Sequence, residues 1–317
     1  VTASVDRGPG GRAAVIGHPV SHSLSPVLHR AAYEDLGLEG WGYGILEVPA
    51  GGLAGVLEQV AAAPEPGEPA WVGLSVTMPH KQDLAEALDV VDPLAQAVGA
   101  VNTVVVQRPG RDRGLLTGFN TDVVGIVEAL HEAGRGAGGP VWQRPGRRAL
   151  VLGAGATACS ALAALAQLGA ASITVAARNH AGPRRALAAA HRMGLEVEAL
   201  GWSPGEPGSD ARVAAEMARC ELVVSTLPAG LADHLSAPLD HALADQGGPR
   251  PGAAVLDVVY DPWPTLLAAV WERHGAAVAP GWLMLLHQAV PQVRLMTGRT
   301  PRLAPMRAAL REALDAR

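Results

Sequence analysis

The stretch Ala149-Leu-Val-Leu-Gly153-Ala-Gly155-Ala-Thr157-Ala-Cys159 decides the fold. A short apolar run enters a glycine-rich turn and continues into an alanine-rich helix. The glycines let the backbone turn tightly and approach a pyrophosphate, and the helix N-terminus offers N–H groups and a positive dipole end. Gly-x-Gly alone is weak; the strand before it and the helix after it give it weight. The third glycine of the common fingerprint is absent, so this is a variant form, with a ligand-free strand–helix turn as the alternative.

Downstream the pattern repeats. Short apolar strands are predicted at 173–176, 197–200, 222–225 and 254–259, with helices at 156–168, 183–193 and 210–218. Alternation of this kind predicts an α/β fold with a doubly wound parallel sheet. In NAD sites an acidic residue near the end of the second strand binds the ribose 2′-hydroxyl. Here Ala177-Arg178-Asn179 stands there, and Arg178 would instead pair with a 2′-phosphate. NADP is favoured over NAD, with an exposed surface arginine as the plainer alternative.

Upstream the residues form a second region. Strands are predicted at 12–17, 42–48, 71–76, 101–106 and 114–117, the last two as a hairpin. Helices fit 53–62, 82–88 and 122–133, and another starts at Ser25-Pro26, with Ser25 as cap and Gly37 as stop. Residues 1–11 read as a disordered tail and 134–146 as a connector. Two helices, at 282–297 and 302–316, close the chain.

Composition narrows the function. Of 317 residues, 49% are hydrophobic and 17% charged, enough for a sizeable core. The net charge of −5 argues against a nucleic-acid partner, and 3% aromatics against a base-stacking platform. Two cysteines, Cys159 and Cys220, exclude a disulfide scaffold and read as buried apolar residues. No long apolar run or apolar signal core is visible, so no membrane partner and a cytoplasmic location are expected. Of 11 histidines, His18 and His22 have metal-like spacing. Pro19 lies between them and no further ligand is near, so no metal is expected; His22 and His287 read as packed or supporting residues.

The candidate chemistry is upstream. His22-Ser23-Leu24-Ser25-Pro26 enters a helix, where Ser23 and Ser25 would present hydroxyls to a carboxylate; Ser25 as a simple cap is the alternative. Ser75-Val-Thr77-Met-Pro-His-Lys81 ends a strand, with Lys81 expected in the first helical turn. Lys81 is the only lysine among 25 basic residues, the rest being arginine. A lysine is ordinarily a surface residue, but this chain uses arginine for that purpose. An ammonium can give up its proton when desolvated and a guanidinium cannot, so Lys81 is a candidate for proton transfer. Asn102 offers a donor and an acceptor to a polyol, or serves as a strand-start amide. Asp122 is a helix-start residue, or Lys81's partner in exchanging a hydroxyl proton.

These segments together resemble the shikimate dehydrogenases, from near residue 13 to near residue 300. The resemblance rests on Gly17-His-Pro-Val-Ser-His-Ser-Leu-Ser-Pro, Ser75-Val-Thr-Met-Pro-His-Lys, Ala100-Val-Asn-Thr, Asn120-Thr-Asp, Gly153-Ala-Gly-Ala, Asp257-Val-Val-Tyr260 and Leu285-Leu-His-Gln288-Ala, in that order. It implies two α/β domains: a substrate-binding domain of 12–121 plus 282–317 and a Rossmann-like NADP domain of 122–281. It implies reversible NADP-dependent reduction of 3-dehydroshikimate to shikimate in aromatic amino acid (chorismate) biosynthesis. Lys81 and Asp122 would be the catalytic pair, also touching substrate with Ser23, Ser25, Thr77, Asn102, Tyr260 and Gln288. Gly153, Ala154, Gly155, Ala156, Thr157, Ala177, Arg178, Asn179, Val258 and Gly281 would line the cofactor. Ser75 stands where many members have Asn, and Ala177-Arg178-Asn179 replaces an Asn-Arg-Thr turn. Alternatives are an enzyme that also takes quinate or NAD, a non-enzymatic shikimate/NADP-sensing regulator, and a methylenetetrahydrofolate-dehydrogenase-like enzyme, which the Ser-x-Ser motif does not suit. Oligomeric state is not legible; a homodimer is compatible with the sequence.

Overall fold

The computed structural model describes residues 10–110, 113–136 and 146–317. Most of the expected tail, much of the expected connector and part of the hairpin turn lie outside the described residues. The chain divides into two compact units. The first runs to Gln96 and adds Ala100–Thr121 and Ala289–Arg317; the second is Ala97–Gly99 with Asp122–Gln288.

The first unit is built on β1 (Gly11–Gly17), β2 (Gly42–Glu47), β3 (Ala70–Val76), β4 (Val90–Val91), β5 (Thr103–Gln107) and β6 (Leu115–Phe119). Gly11, placed by the sequence reading in the tail, belongs to β1. The sheet order is β2-β1-β3-β5-β6-β4. Only β5 runs against its neighbours, and β5 and β6 form the expected hairpin. Helices α1 (Ser25–Asp35), α2 (Leu53–Ala61) and α3 (Leu84–Ala87) follow β1, β2 and β3, and α4 (Pro93–Val98) follows β4. Ile16, Leu57, Val60, Leu74, Leu84, Val104 and Leu116 belong to one core. β4 and α4 are absent from the sequence expectation, because two-residue strands and six-residue helices carry too little periodicity.

The second unit alternates strand and helix after α5 (Asp122–Gly136): β7 (Arg147–Leu152), α6 (Ala156–Gln167), β8 (Ala170–Ala177), α7 (Ala186–Arg192), β9 (Val197–Gly201), α8 (Pro207–Ala218), β10 (Leu222–Ser225), α9 (Ser236–Asp245), β11 (Ala254–Asp257), α10 (Leu266–Arg273) and β12 (Ala277–Pro280). All six strands are parallel, in the order β12-β11-β10-β7-β8-β9. Read from β9, this is the 3-2-1-4-5-6 order of dinucleotide folds, whose crevice opens where the winding reverses, between β7 and β10. β10 and β11 are buried along their whole length, as strands covered on both faces must be. Leu150, Leu152, Val223, Val255, Val270 and Trp271 belong to its core. β12 escapes the sequence reading because a single valine among alanines carries little strand propensity.

Two helices end the chain, α11 (Gly281–Thr297) and α12 (Leu303–Asp315), and the division between units falls inside α11. Among the described residues no helix is long and apolar enough to cross a membrane.

Candidate active site

In the first unit the singled-out residues collect at one sheet edge. Ser23 and Ser25 follow the carboxyl end of β1, and Thr77 and Lys81 that of β3. Because β5 is antiparallel, Asn102 before its start lies at the same edge, as does Thr121 after β6. Backbone bonds tie these ends together. Thr77 N–H donates to Ile16 C=O at 2.9 Å, His18 N–H to Met78 C=O at 2.8 Å, and Val76 N–H to Asn102 C=O at 2.8 Å. A Cβ on Gly17 would lie 2.3 Å from Thr77 Cγ2, so only glycine permits this approach.

Two local expectations are corrected. Ser25 is the first residue of α1, not its cap, and its side chain caps nothing. Ser23 does the related work: Ser25 N–H donates to Ser23 Oγ at 3.2 Å, and Ser23 Oγ donates to Ser25 Oγ at 3.2 Å. Pro26 has no N–H, so Ser25 carries the donor that needs a partner there. Lys81 is not in a helical turn either, since α3 starts only at Leu84. Its carbonyl accepts Val101 N–H at 2.7 Å, which diverts it from the helical ladder. His80, just before it, is buried and bonds Val48 C=O through Nε2 at 2.6 Å. The backbone on both sides of the Lys81 side chain is therefore pinned.

Behind this edge lies a buried hydrogen-bond network that the sequence does not reveal. Tyr43 OH donates to Ser75 Oγ at 2.7 Å. Ser75 Oγ donates to Gln292 Oε1 at 2.8 Å, and Gln292 Nε2 donates to Asn102 C=O at 3.2 Å and Thr103 Oγ1 at 2.9 Å. Asn102 Oδ1 accepts Thr121 N–H at 2.7 Å, and Asn102 Nδ2 donates to Thr121 Oγ1 at 2.9 Å. His29 stacks on Tyr43 with ring centroids 4.0 Å apart and reaches Gln292 Oε1 at 3.2 Å. Burial pushes the His29 pKa down to about 4, so its ring is neutral at pH 7, and burial pushes both Tyr33 and Tyr43 up. The missed signal is one of pairing: residues 263 positions apart, His29 and Gln292, meet only in the folded unit.

In the second unit the singled-out residues again sit at carboxyl strand ends. Gly153 follows β7 with φ +101°, and a Cβ there would lie 2.6 Å from Thr226 Oγ1 after β10. Thr226 Oγ1 donates to Leu152 C=O at 2.7 Å. Thr226, given no weight in the sequence, therefore closes the reversal point against Gly153. Gly155 leads α6 without a side-chain cap, so the first N–H groups of that helix are left to a ligand or solvent. Ala154 is buried, and Ala156 and Thr157 are half-buried. Arg178 and Asn179 are exposed after β8 beside buried Ala177; Asn179 Oδ1 accepts Ala181 N–H at 2.8 Å. Arg184 and Arg185 are exposed in the same loop.

Val258 and Gly281 are brought together: a Cβ on Gly281 would lie 2.1 Å from Val258 C=O, and Gly281 N–H donates to Val259 C=O at 3.1 Å. The loop carrying Val258 and half-buried Tyr260 is braced by Asp257, which accepts Thr265 Oγ1 at 2.8 Å and Val259 N–H at 3.3 Å. Burial raises the pKa of Asp257 despite these bonds. Gln288 packs where α11 crosses α5: a Cβ on Gly125 would lie 2.8 Å from both Gln288 Cβ and Met284 C=O. His287 is buried beside it and bonds Glu132 at 2.9 Å, a packed residue as expected. Asp122 is buried at the start of α5, where the helix dipole favours a carboxylate.

His22 is exposed rather than packed, and His18 pairs with Glu47 at 2.9 Å. Among the described residues no group of three or more His, Cys, Asp or Glu is placed to hold a metal. Cys159 and Cys220 are buried, and burial pushes their thiols up to about 11 and about 12.

Comparison with known proteins draws the same outline. Residues 15–104 match the shikimate dehydrogenase substrate binding domain, and residues 281–311 the shikimate 5′-dehydrogenase C-terminal domain. A shikimate dehydrogenase (NADP(+)) of Citrifermentans bemidjiense is 41% identical over 290 residues, covering 91% of this chain and 90% of the relative. The chain belongs to the shikimate dehydrogenase family. A second family member, from Thermus thermophilus, is 38% identical over 96% of this chain and 98% of its own length. The crystal structure of Mycobacterium tuberculosis shikimate dehydrogenase superposes with a TM-score of 0.74 at 36% identity, covering 96% of this chain and 99% of the other. A Thermus thermophilus shikimate 5-dehydrogenase crystallised with NADP(H) and shikimate gives 0.71 at 34% identity, with 96% and 99% covered. The similarity to these shikimate dehydrogenases spans both units, including the stretch between the two matched domain models.

Proposed function

We propose that this chain is an NADP-dependent shikimate dehydrogenase, reversibly reducing 3-dehydroshikimate to shikimate. The observation that carries this reading is the placement of Ser23, Ser25, Thr77, Lys81 and Asn102 at one sheet edge of a chain whose other unit has the dinucleotide strand order. The cofactor's fit is supported by Gly153 at positive φ, the uncapped start of α6 and the close approach at Gly281. Gly153, Ala154, Gly155, Ala156 and Thr157 would hold its pyrophosphate; Ala177, Arg178 and Asn179 its adenosine end; Val258 and Gly281 its nicotinamide side. When bound, NADP supplies the hydride acceptor for the carbinol carbon.

The protein's own work is orientation and proton handling. Ser23 and Ser25 hold the substrate carboxylate. Thr77, Asn102, Tyr260 and Gln288 hold its hydroxyls. Lys81 and Asp122 take the alcohol proton as the carbon is oxidised and return it in the reverse direction. A lysine suits this role because an ammonium can give up its proton when desolvated, as a guanidinium cannot. The expected cytoplasmic location and homodimer belong to the same proposal. The test is NADP reduction assayed with shikimate, quinate and no substrate. Shikimate-dependent reduction is expected; reduction by quinate alone, or none with either acid, would contradict the reading.

A further inference from the structure

The buried network has one member that touches both halves of the proposed substrate edge. Gln292 bonds Ser75 and His29 through Oε1, and Asn102 C=O and Thr103 Oγ1 through Nε2. It is 1% exposed. Its amide has one orientation that satisfies these partners. A backbone carbonyl only accepts, so Nε2 must face Asn102, and Oε1 then faces Ser75. Ser75 must therefore donate to Gln292, which leaves its oxygen to accept from Tyr43 OH, as observed at 2.7 Å. His29, the other partner of Oε1, stands one turn after Ser25 on α1 and stacks on Tyr43. One amide thus anchors α1, which Ser25 opens, by way of His29, and Asn102 directly through its carbonyl and by way of Thr103.

We propose that Gln292 is a positioning residue for substrate, setting the spacing between the Ser23–Ser25 pair and Asn102. The inference rests on the proposed roles of these residues. A substrate with a carboxylate at one end and hydroxyls at the other needs both groups at a fixed separation, and a buried, fully bonded amide supplies a rigid spacer. Gln292 touches neither substrate nor cofactor on this view and moves no proton.

The test is steady-state kinetics of Gln292→Met, which keeps the volume and removes every bond, alongside Tyr43→Phe, which keeps the ring and removes one. Asn102→Ala is the control for the substrate edge. Gln292→Met is expected to raise the shikimate KM about tenfold, with Tyr43→Phe showing a smaller rise. The NADP KM and kcat should stay within about threefold, a split that general damage to the fold does not produce. If Gln292→Met does not fold, Tyr43→Phe decides alone, and a parental shikimate KM there overturns the proposal. A raised shikimate KM in Asn102→Ala with parental values in the other two sinks the spacer and spares the substrate edge. An unchanged KM in Asn102→Ala removes the substrate edge and the spacer with it.

Discussion

At the carboxyl edge of the first sheet, side chains make the arrangement: Ser23 bonds Ser25, and Tyr43, Ser75, Gln292, Thr103, Asn102 and Thr121 are hydrogen-bonded into one buried network. At the carboxyl edge of the second sheet, backbone makes it. Gly153 approaches Thr226, Gly281 approaches Val258, and Gly155 opens a helix with no side-chain cap. The difference follows from the proposed ligands. A small polyhydroxy acid is told from its analogues by placed donors and acceptors. A dinucleotide presents a pyrophosphate, which peptide N–H groups bind at close range, where any Cβ would obstruct. On the proposed reading, recognition rests on side chains in one unit and on their absence in the other.

The sharpest way to break this contrast is at Lys81, where the first edge is to do chemistry as well as bind. Lys81→Arg keeps the charge and should lower kcat about a thousandfold in shikimate-dependent NADP reduction; a protein within a few-fold of the parent would show that only charge matters. Next is the cost of burying the network. The unfolded chain takes up a proton on His29 near the ordinary value of 6.5, while the folded chain resists until about 4. The His29 contribution to stability therefore falls by roughly 3 kcal/mol as pH drops through that window and is constant above it. Urea midpoints of the parent and His29→Gln should diverge in pH dependence between those limits; identical slopes would refute the burial of a neutral ring.

Arg178→Ala probes the second edge, where one exposed side chain is asked to select the cofactor. It should raise the NADP KM about thirtyfold and leave the NAD KM nearly unchanged; equal rises for both would move 2′-phosphate recognition elsewhere. Gly153→Ala tests the backbone edge itself. The added Cβ meets Thr226 at a φ that L-residues avoid. The NADP KM should rise about tenfold while the shikimate KM holds. A shared rise would mean that the edges are not separable.

Much of the second unit was legible, because its signals are local. A strand, two glycines and a helix occupy consecutive positions, and Arg178 stands at a place defined by counting from them. The first unit was legible in its motifs and not in its bonding. Lys81 stood out by composition, yet its helical placement failed because Val101, twenty residues away, takes its carbonyl. Ser25 has the residue type of a cap, while the fold gives Ser23 the backbone N–H. Gly125 looks like a helix liability of about 1 kcal/mol until α11 is seen against it.

What the sequence determined by itself was therefore the α/β class, the glycine-rich turn between β7 and α6, and the set of residues proposed for the site, Arg178 among them. Each depends on residue type within a few positions. Only the tertiary structure decided the strand order, the edge on which Ser23, Thr77, Lys81 and Asn102 collect, and the place of Gln292 behind them. Those are long-range pairings, set by which apolar faces bury together and which buried amide finds its partners. Neighbours along the chain carry no record of either.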